Sequence, residues 1–504
     1  MKKYMGNKSK ILPSIYKVAQ AVPEATTIFD AFSGTTNVGQ YFRRKGYKVI
    51  SNDVNSTSFL LGNVYLTQNK VPSFRTLFNT KCYTIDQIKK MRGSTIFEEK
   101  KEEFIRLNHN TNNVDYLLEK KETNAFDLLV YLSFFATSQD YEDTMYSYKL
   151  LASDFIWRNY CYDGYNSEYF NLVSQKSITA QIDLLKSINS EEYISDIDTV
   201  IEQLCEVYTP PFCLNNISAS INTLIRINKD LNSAKISKCI SKLESLSKRK
   251  NHTGRRMFFS EDHGHRIDTI NNLTLLWFKD NLITKEEYDF IQCSLVEAVA
   301  LFSNTSATYQ AFYKTYRANT QQTFRLVFPE IYDSAQENKV FCEDTFKLIN
   351  DIKEEYDILY LDPPYNWRIY DSNYHLLNLL SDYLSIADII IDFEKGIAGA
   401  AGENRTIERS YTNYNRRKTF EDLLFELIKS SNCRYVIISY SDSLSNHNKN
   451  SNSSVEKISQ FLRDPDLFVP SSYQKIEVNS INFESRKSEK KEEIHELLFV
   501  AEKK

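Results

Sequence analysis

The sequence predicts an α/β fold whose sheet is divided along the chain by a long helical insertion. Three observations carry this. Strand-like apolar segments are confined to the two ends, at Thr27–Phe32 and Lys48–Asp53 early and at Ile352–Asp362, Cys433–Tyr440 and His495–Ala501 late. Between Pro72 and Pro329 the prolines are the adjacent pair Pro210 and Pro211, and a region so poor in breakers favours helix. Of the twelve glycines, Gly6, Gly34, Gly39 and Gly46 fall in the first 46 residues, which suits a tight strand-to-helix turn there. The division is therefore 1–75 for a first half-domain, 76–335 for the insertion and 336–504 for the second half-domain. No internal repeat stands out.

Thr26 to Gly39 reads as strand, glycine turn and helix. The helix runs through Gln40 to Lys45 and stops at Gly46, and a second strand ends at Asp53. This is the first βαβ unit of a nucleotide-binding sheet, with Asp53 placed to hydrogen-bond ribose hydroxyls. A dinucleotide fingerprint wants three glycines, but positions 34, 36 and 39 are Gly, Thr and Gly. A pyrophosphate is thereby disfavoured. A cofactor with adenosine but no phosphates, such as S-adenosylmethionine, needs less backbone approach.

Composition sets the outer limits. With 504 residues, 33 Tyr and 31 Phe, the chain has ample material for a packed interior and is not a disordered polymer. The formal net charge of −4 means that any nucleic-acid surface must be local. Cysteines 82, 161, 205, 213, 239, 293, 342 and 433 are scattered without a C-x-x-C pair, which fits reduced thiols in the cytoplasm rather than disulfides or zinc. The charged N-terminus leads into no apolar core of a signal peptide, and no apolar run approaches a membrane span. A soluble cytoplasmic protein with no metal and no membrane partner is expected.

The late half holds Asp362-Pro363-Pro364-Tyr365 at the end of the apolar run Tyr356 to Leu361. Two prolines cannot donate to a ladder, so the strand must end there, with an acid and an aromatic ring beyond its carboxyl end. An exocyclic amine of a nucleobase is a poor nucleophile because its lone pair is delocalised. A carboxylate and a backbone carbonyl that accept its two N–H bonds stabilise the charge that develops as the nitrogen becomes tetrahedral. Asp362 supplies the first, Pro363 the second, with Pro364 stiffening the turn. Tyr365 offers a face for a flipped-out base.

Three separated segments, in this order, resemble the DNA adenine amino-methyltransferases of the Dam-like class. Lys3 to Lys10 resembles their N-terminal cofactor motif, Phe29 to Thr35 their glycine-loop motif and Asp362 to Tyr365 their catalytic motif. Asn366 to Tyr370, Asn373 to Leu377 and Arg434 to Ser441 add to the likeness, as does part of the insertion from Gly254 to Ser306. Residues 75 to 250 show hardly any. The resemblance implies a Rossmann-like, S-adenosylmethionine-dependent methyltransferase fold with a mixed, mostly parallel sheet. It further implies that Tyr4, Gly6, Asn7 and Lys8 line the methionine end of the cofactor, with Asp30, Phe32, Ser33, Gly34 and Thr35 beneath it. Asp53 would hold the ribose and Asp344 the adenine, although Asp344 equally suits a helix N-cap. Thr36 departs from the family, which has a second glycine there.

DNA contact is expected from local basic stretches. Lys248 to Arg256 is one; Arg405 to Lys418 is the other, where Arg405, Arg409, Arg416, Arg417 and Lys418 alternate with Tyr411, Tyr414 and Asn residues. Arg368 follows the catalytic turn, in position to touch phosphate. His375 suits a packed helix start, since the methylated amine loses its proton without a strong base. His263-Gly264-His265 reads as a surface turn rather than a metal site, and Ser445 to Ser454 as a polar loop. Tyr473–Asn482 and His495–Ala501 read as a hairpin that closes the sheet. Together these readings point to site-specific methylation of adenine in double-stranded DNA, with a cognate restriction endonuclease as a possible companion. Cytosine methylation at the exocyclic amine and an inactive DNA-binding subunit are the alternatives. RNA or protein glutamine is disfavoured by Asp362, and no nuclease motif accompanies it.

Overall fold

The computed structural model of the protein describes residues 8–109, 113–137, 140, 154–171, 252–363, 370–404, 420–441, 451–481 and 493–504. Packing divides the chain into two compact units. The first comprises 1–157, 257–390 and 409–504, and the second comprises 158–256 with 391–408. The boundary by packing thus runs inside the segment 76–335, most of whose described part is helical and belongs to the first unit.

Unit one is built on seven strands: β1 (Thr27–Asp30), β2 (Lys48–Asn52), β5 (Lys339–Phe341), β6 (Tyr356–Leu361), β9 (Cys433–Ser441), β10 (Gln474–Ile481) and β11 (Glu493–Glu502). Their spatial order is β10-β11-β9-β6-β1-β2-β5. β1 pairs in parallel with both β2 and β6, β2 with β5, and β6 with β9; β11 lies antiparallel between β9 and β10. This is the mixed, mostly parallel sheet that the resemblance implies, with the closing hairpin that the patterning predicts. The short strand β5 had no recognisable signal, since three residues are too few to display a period.

Period-two alternation sorts the strand residues onto two apolar faces. Phe29, Ile50, Leu359, Leu361, Val436, Ile438, Leu497 and Phe499 form one buried layer, with Leu348, Leu424, Leu427 and Ile458 from covering helices. Ile28, Val49, Ile358, Tyr360, Ile437, Leu498 and Val500 form the other, under α1 (Leu12–Gln20) and α2 (Asn37–Arg44). Burying each such side chain contributes about 1.5–3 kcal/mol. Gly39 lets α2 approach β2, because a Cβ there would lie 3.1 Å from Val49 and 3.2 Å from Leu66.

The insertion contributes two long helices, Glu261–Lys279 and Lys285–Phe302, the second opened by a capping box between Thr284 and Glu287. The His-Gly-His stretch lies in the first turn of the former helix and is not a surface turn. His263 is buried there, while the His265 ring stacks on Trp157 at 4.9 Å. Ser260 at the N-cap and the acids Glu261 and Asp262 in the first turn favour helix over loop at this point. The end of the polar run Ser445 to Ser454 also differs from expectation, for residues from Ser451 open the helix Ser451–Phe461.

Within unit two, β3 (Glu168–Asn171) pairs with β4 (His252–Arg255), and β7 (Ile397–Ala398) with β8 (Glu403–Asn404). Among its described residues, buried Tyr160, Cys161, Phe393 and Ile397 are joined by a hydrogen-bonded polar network. Arg158 clamps Glu394 through two bonds of 2.6 and 3.0 Å, and Asn159 and Asn166 donate to the same carboxylate. The buried Arg256 guanidinium donates to the carbonyls of Gly399, Asn159 and Asn166. Among the described residues, no helix is long and apolar enough to cross a membrane, and no group of acidic, His or Cys side chains is placed to hold a metal ion.

Candidate active site

Strand order reverses between β1 and β6. From β1 the chain proceeds to β2 on one side, while the returning strand β6 lies on the other. A crevice therefore opens beyond the carboxyl ends of these two strands, where open α/β sheets take their ligands. Asp30 ends β1 opposite Tyr360, and the Ala31 amide donates to the Tyr360 carbonyl at 3.2 Å. Asp362 follows β6 directly. Alternation gives Asp30 the face of Ile28, and Asp362 the face of Ile358 and Tyr360, so both acids belong to the face covered by α1 and α2.

Asp30 is 1 % exposed. Both its oxygens are buried without a hydrogen bond of ordinary geometry, and the Phe32 and Gly39 amides compensate only weakly. Burial, followed by the negative charges of Asp362 and Asp53, holds its carboxyl well above the usual range. Asp362 is partly buried, and burial pushes it up to about 6, with Lys8 opposing the shift and Glu496 adding to it. Lys8 lies in the turn before α1, its ammonium 3.1 Å from Asp362 Oδ1 and 2.6 Å from Glu496 Oε1. Asp30, reluctant to ionise by itself, gains by doing so beside a cation, so the site favours a cationic ligand.

The glycine loop is shaped from below. Ser33 donates its amide to the Asn52 carbonyl at 2.9 Å, and Gly34, at φ 49°, donates its own to Asp53 Oδ2 at 2.8 Å. The other oxygen of Asp53 accepts from the Asn55 amide and side chain. Asp53, expected to hold the ribose, thus has both oxygens engaged by the glycine loop and by Asn55. Thr36 is fully buried at φ 58° in the left-handed region, an outlier for a β-branched residue. Its hydroxyl donates to the Thr35 carbonyl and accepts from Gln40, so the strain is over-determined by its surroundings. Phe32, Ser33 and Thr35 lie in the same loop. Asp344 caps the helix Thr345–Asp351 by accepting from the Phe346 amide at 2.9 Å.

Two residues were missed by sequence reasoning. Asn52 joins the end of β2 to the turn before Thr345, donating to the Glu343 carbonyl and the Thr345 hydroxyl and accepting the Glu343 amide. Glu496 sits inside an apolar strand run, where an acid is itself a signal that it has a partner. The helix Tyr370–Ser381, which follows Asp362 to Tyr365 in the sequence, is tied down by Asn378. Its side chain accepts from Thr57 at 2.8 Å and donates to Asn55 at 3.1 Å. His375 lies in this helix with Nδ1 3.0 Å from the Ser372 carbonyl. Pro363 is buried. Tyr4, Gly6, Asn7, Pro364, Tyr365, Arg368, Arg405, Arg409, Arg416, Arg417 and Lys418 lie outside the described residues.

Comparison with known proteins gives this geometry a family. The Type II methyltransferase M.FokI of Planomicrobium okeanokoites is 30% identical over 248 residues, which is 49% of this chain and 35% of the relative. The modification methylase StsI of Streptococcus sanguinis is 29% identical over 254 residues, 50% of this chain and 35% of the relative. The Type II methyltransferase M.NlaIII of Neisseria lactamica is 29% identical over 188 residues, 37% of this chain and 52% of the relative. The chain thus spans between 35% and 52% of the length of these relatives. The model of the D12 class N6 adenine-specific DNA methyltransferases matches residues 4–200 and 214–387, and so takes in much of the region that showed little likeness by eye. With the sheet order, the glycine loop and Asp362 at the strand switch in agreement, the chain belongs to the family of D12 class N6 adenine-specific DNA methyltransferases.

Proposed function

We propose that the protein transfers a methyl group from S-adenosylmethionine to the exocyclic amino group of adenine at a specific site in double-stranded DNA. The observation that carries this is Asp362 beside the buried Asp30 and Lys8 at the strand switch, in a chain of this family. The residues suit the cofactor, since the buried acid Asp30, costly to ionise alone, is offset by a positively charged group placed beside it. When bound, S-adenosylmethionine supplies a methyl group on a positively charged sulfur. Asp30 and the loop Phe32 to Thr35 would hold the cation, with Asp53 keeping Gly34 in place. Tyr4, Gly6, Asn7 and Lys8 are assigned to the methionine end, and Asp344 to the adenine edge.

Asp362 and the Pro363 carbonyl then accept the two N–H bonds of the target amine, draw its lone pair out of conjugation and aim it at the methyl group. Pro364 keeps the turn stiff, and Tyr365 stacks on the flipped base. The proton lost after transfer passes to water, because a methylated cationic amine is strongly acidic. Arg368 and the stretch with Arg405, Arg409, Arg416, Arg417 and Lys418 are assigned to DNA. The segment 76–335 would include the target-recognition region, between halves at 1–75 and 336–504 that build the methyltransferase domain. Such a protein acts in the cytoplasm, and the names of its relatives favour the modification arm of a restriction-modification pair, with an endonuclease as companion.

The test is transfer of labelled methyl from S-adenosylmethionine to unmethylated DNA, followed by nucleoside analysis, with Asp362→Ala as control. Methyladenine that vanishes in the variant is expected. Methylcytosine would overturn the base assignment, and absence of both transfer and cofactor binding would overturn the enzyme reading.

A further inference from the structure

Glu496 lies in β11, beyond residue 387, where the family match ends. Alternation along β11 turns it to the face of Leu498 and Val500, the face under α1. Antiparallel pairing sets Glu496 opposite Ser441, at the carboxyl end of β9 and hence beside the end of β6. The residue is 6 % exposed. Its Oε1 accepts from Lys8 Nζ at 2.6 Å and from Ser439 Oγ at 2.5 Å, while the same Nζ lies 3.1 Å from Asp362 Oδ1. A lysine with a flexible four-carbon stem has many rotamers, and two fixed acceptors select one of them.

We propose that Glu496, with Ser439, is a positioning residue for methyl transfer: it holds the Lys8 ammonium against Asp362 and so sets the charge and aim of the acceptor carboxylate. The inference rests on Asp362 being that acceptor. A buried carboxylate such as Glu496 would be costly without Lys8, so the three groups behave as a unit. Among the described residues the titratable and charged groups that face Asp362 are Lys8 before α1, Glu496 on β11, Tyr360 on β6 and Asp30 on β1. Lys8 makes Asp362 easier to ionise and Glu496 makes it harder. Removing Lys8 therefore moves its titration up, whereas removing Glu496 takes away a negative charge and also loosens the ammonium, two effects of opposite sign.

The experiment measures kcat/KM for methyl transfer against pH in the unmodified protein, Glu496→Gln, Lys8→Met and the double variant, with thermal midpoints of all four. The acid limb is expected to move to higher pH in Lys8→Met, which removes the positive charge beside Asp362. A positioning role further predicts a roughly 10-fold lower kcat in Glu496→Gln with KM changed less than about two-fold. The double variant should have the kcat of Lys8→Met alone. An unchanged kcat in Glu496→Gln, or losses that multiply in the double variant, overturns the proposal. Should Glu496→Gln fail to fold, Glu496→Asp, which keeps the charge and shortens its reach to Lys8, decides by whether kcat falls with KM little changed. If the unmodified protein transfers no methyl group, the functional reading fails separately, and the midpoints still judge the pair: coupling supports it and additivity overturns it.

Discussion

Asp362 and Asp30 are both acids that the fold makes reluctant to ionise, with different consequences. As the proposed acceptor, Asp362 is far stronger when ionised, so activity is expected to fall as pH drops through its folded value. With burial holding it at about 6, kcat/KM for methyl transfer is expected to fall below that pH, as measured in the cofactor-free reference state that kcat/KM reports. An acid limb near 4 would mean that Asp362 is unperturbed. Asp30 bears on stability. An unfolded Asp ionises near about 4, and the folded value is raised, so folding stability is lost as pH rises from there towards the folded value. Asp30→Asn should therefore raise the thermal midpoint of the cofactor-free protein at neutral pH while weakening S-adenosylmethionine binding at least ~10-fold. A lower midpoint would show that the carboxylate has a structural partner. Both acids were legible in the sequence as motif members, but their reluctance to ionise was not, because burial and like-charge neighbours are supplied by other strands.

At the scale of elements, close approach decides more than propensity does. The helix α3 (Ser56–Gly62) ends against β5, and a Cβ at Gly62 would lie 2.6 Å from Val340 Cγ1. Gly62→Val is expected to destabilise the protein by about 1–3 kcal/mol through overpacking, read from chemical denaturation. A change below about 0.5 kcal/mol would mean that β5 yields freely. The strands Thr27 to Asp30, Tyr356 to Leu361 and Cys433 to Ser441 were legible because each is a dense apolar run bounded by polar or breaking residues. Strand β5 and the first turn of Glu261–Lys279 were not. The former borrows its identity from pairing with β2, and the latter from burial of His263 within the helix pair.

At the scale of the whole molecule, the two units rest on different physics. Unit one has two apolar layers about a sheet, whereas the described part of unit two is held by Arg158, Glu394 and Arg256. Removing one partner of a buried ion pair leaves an uncompensated charge. Arg158→Met is therefore expected to destabilise unit two by about 3 kcal/mol and expose it to proteolysis, with cofactor binding in unit one retained. Loss of cofactor binding in that variant would contradict the independence of the units.

What the sequence by itself determined is the chemistry and its order along the chain: the glycine loop at Gly34, the acid at Asp30 and the strand-ending Asp362 to Tyr365. These are local features, for turns, strand ends and proline breaks depend on neighbours in the chain. Only the tertiary structure decided which distant groups meet. It placed Lys8 between Asp362 and Glu496, the latter 488 positions away, and it built the second unit from part of the insertion together with 391–408. Strand order and register make those contacts, and neither is written in any local stretch of residues.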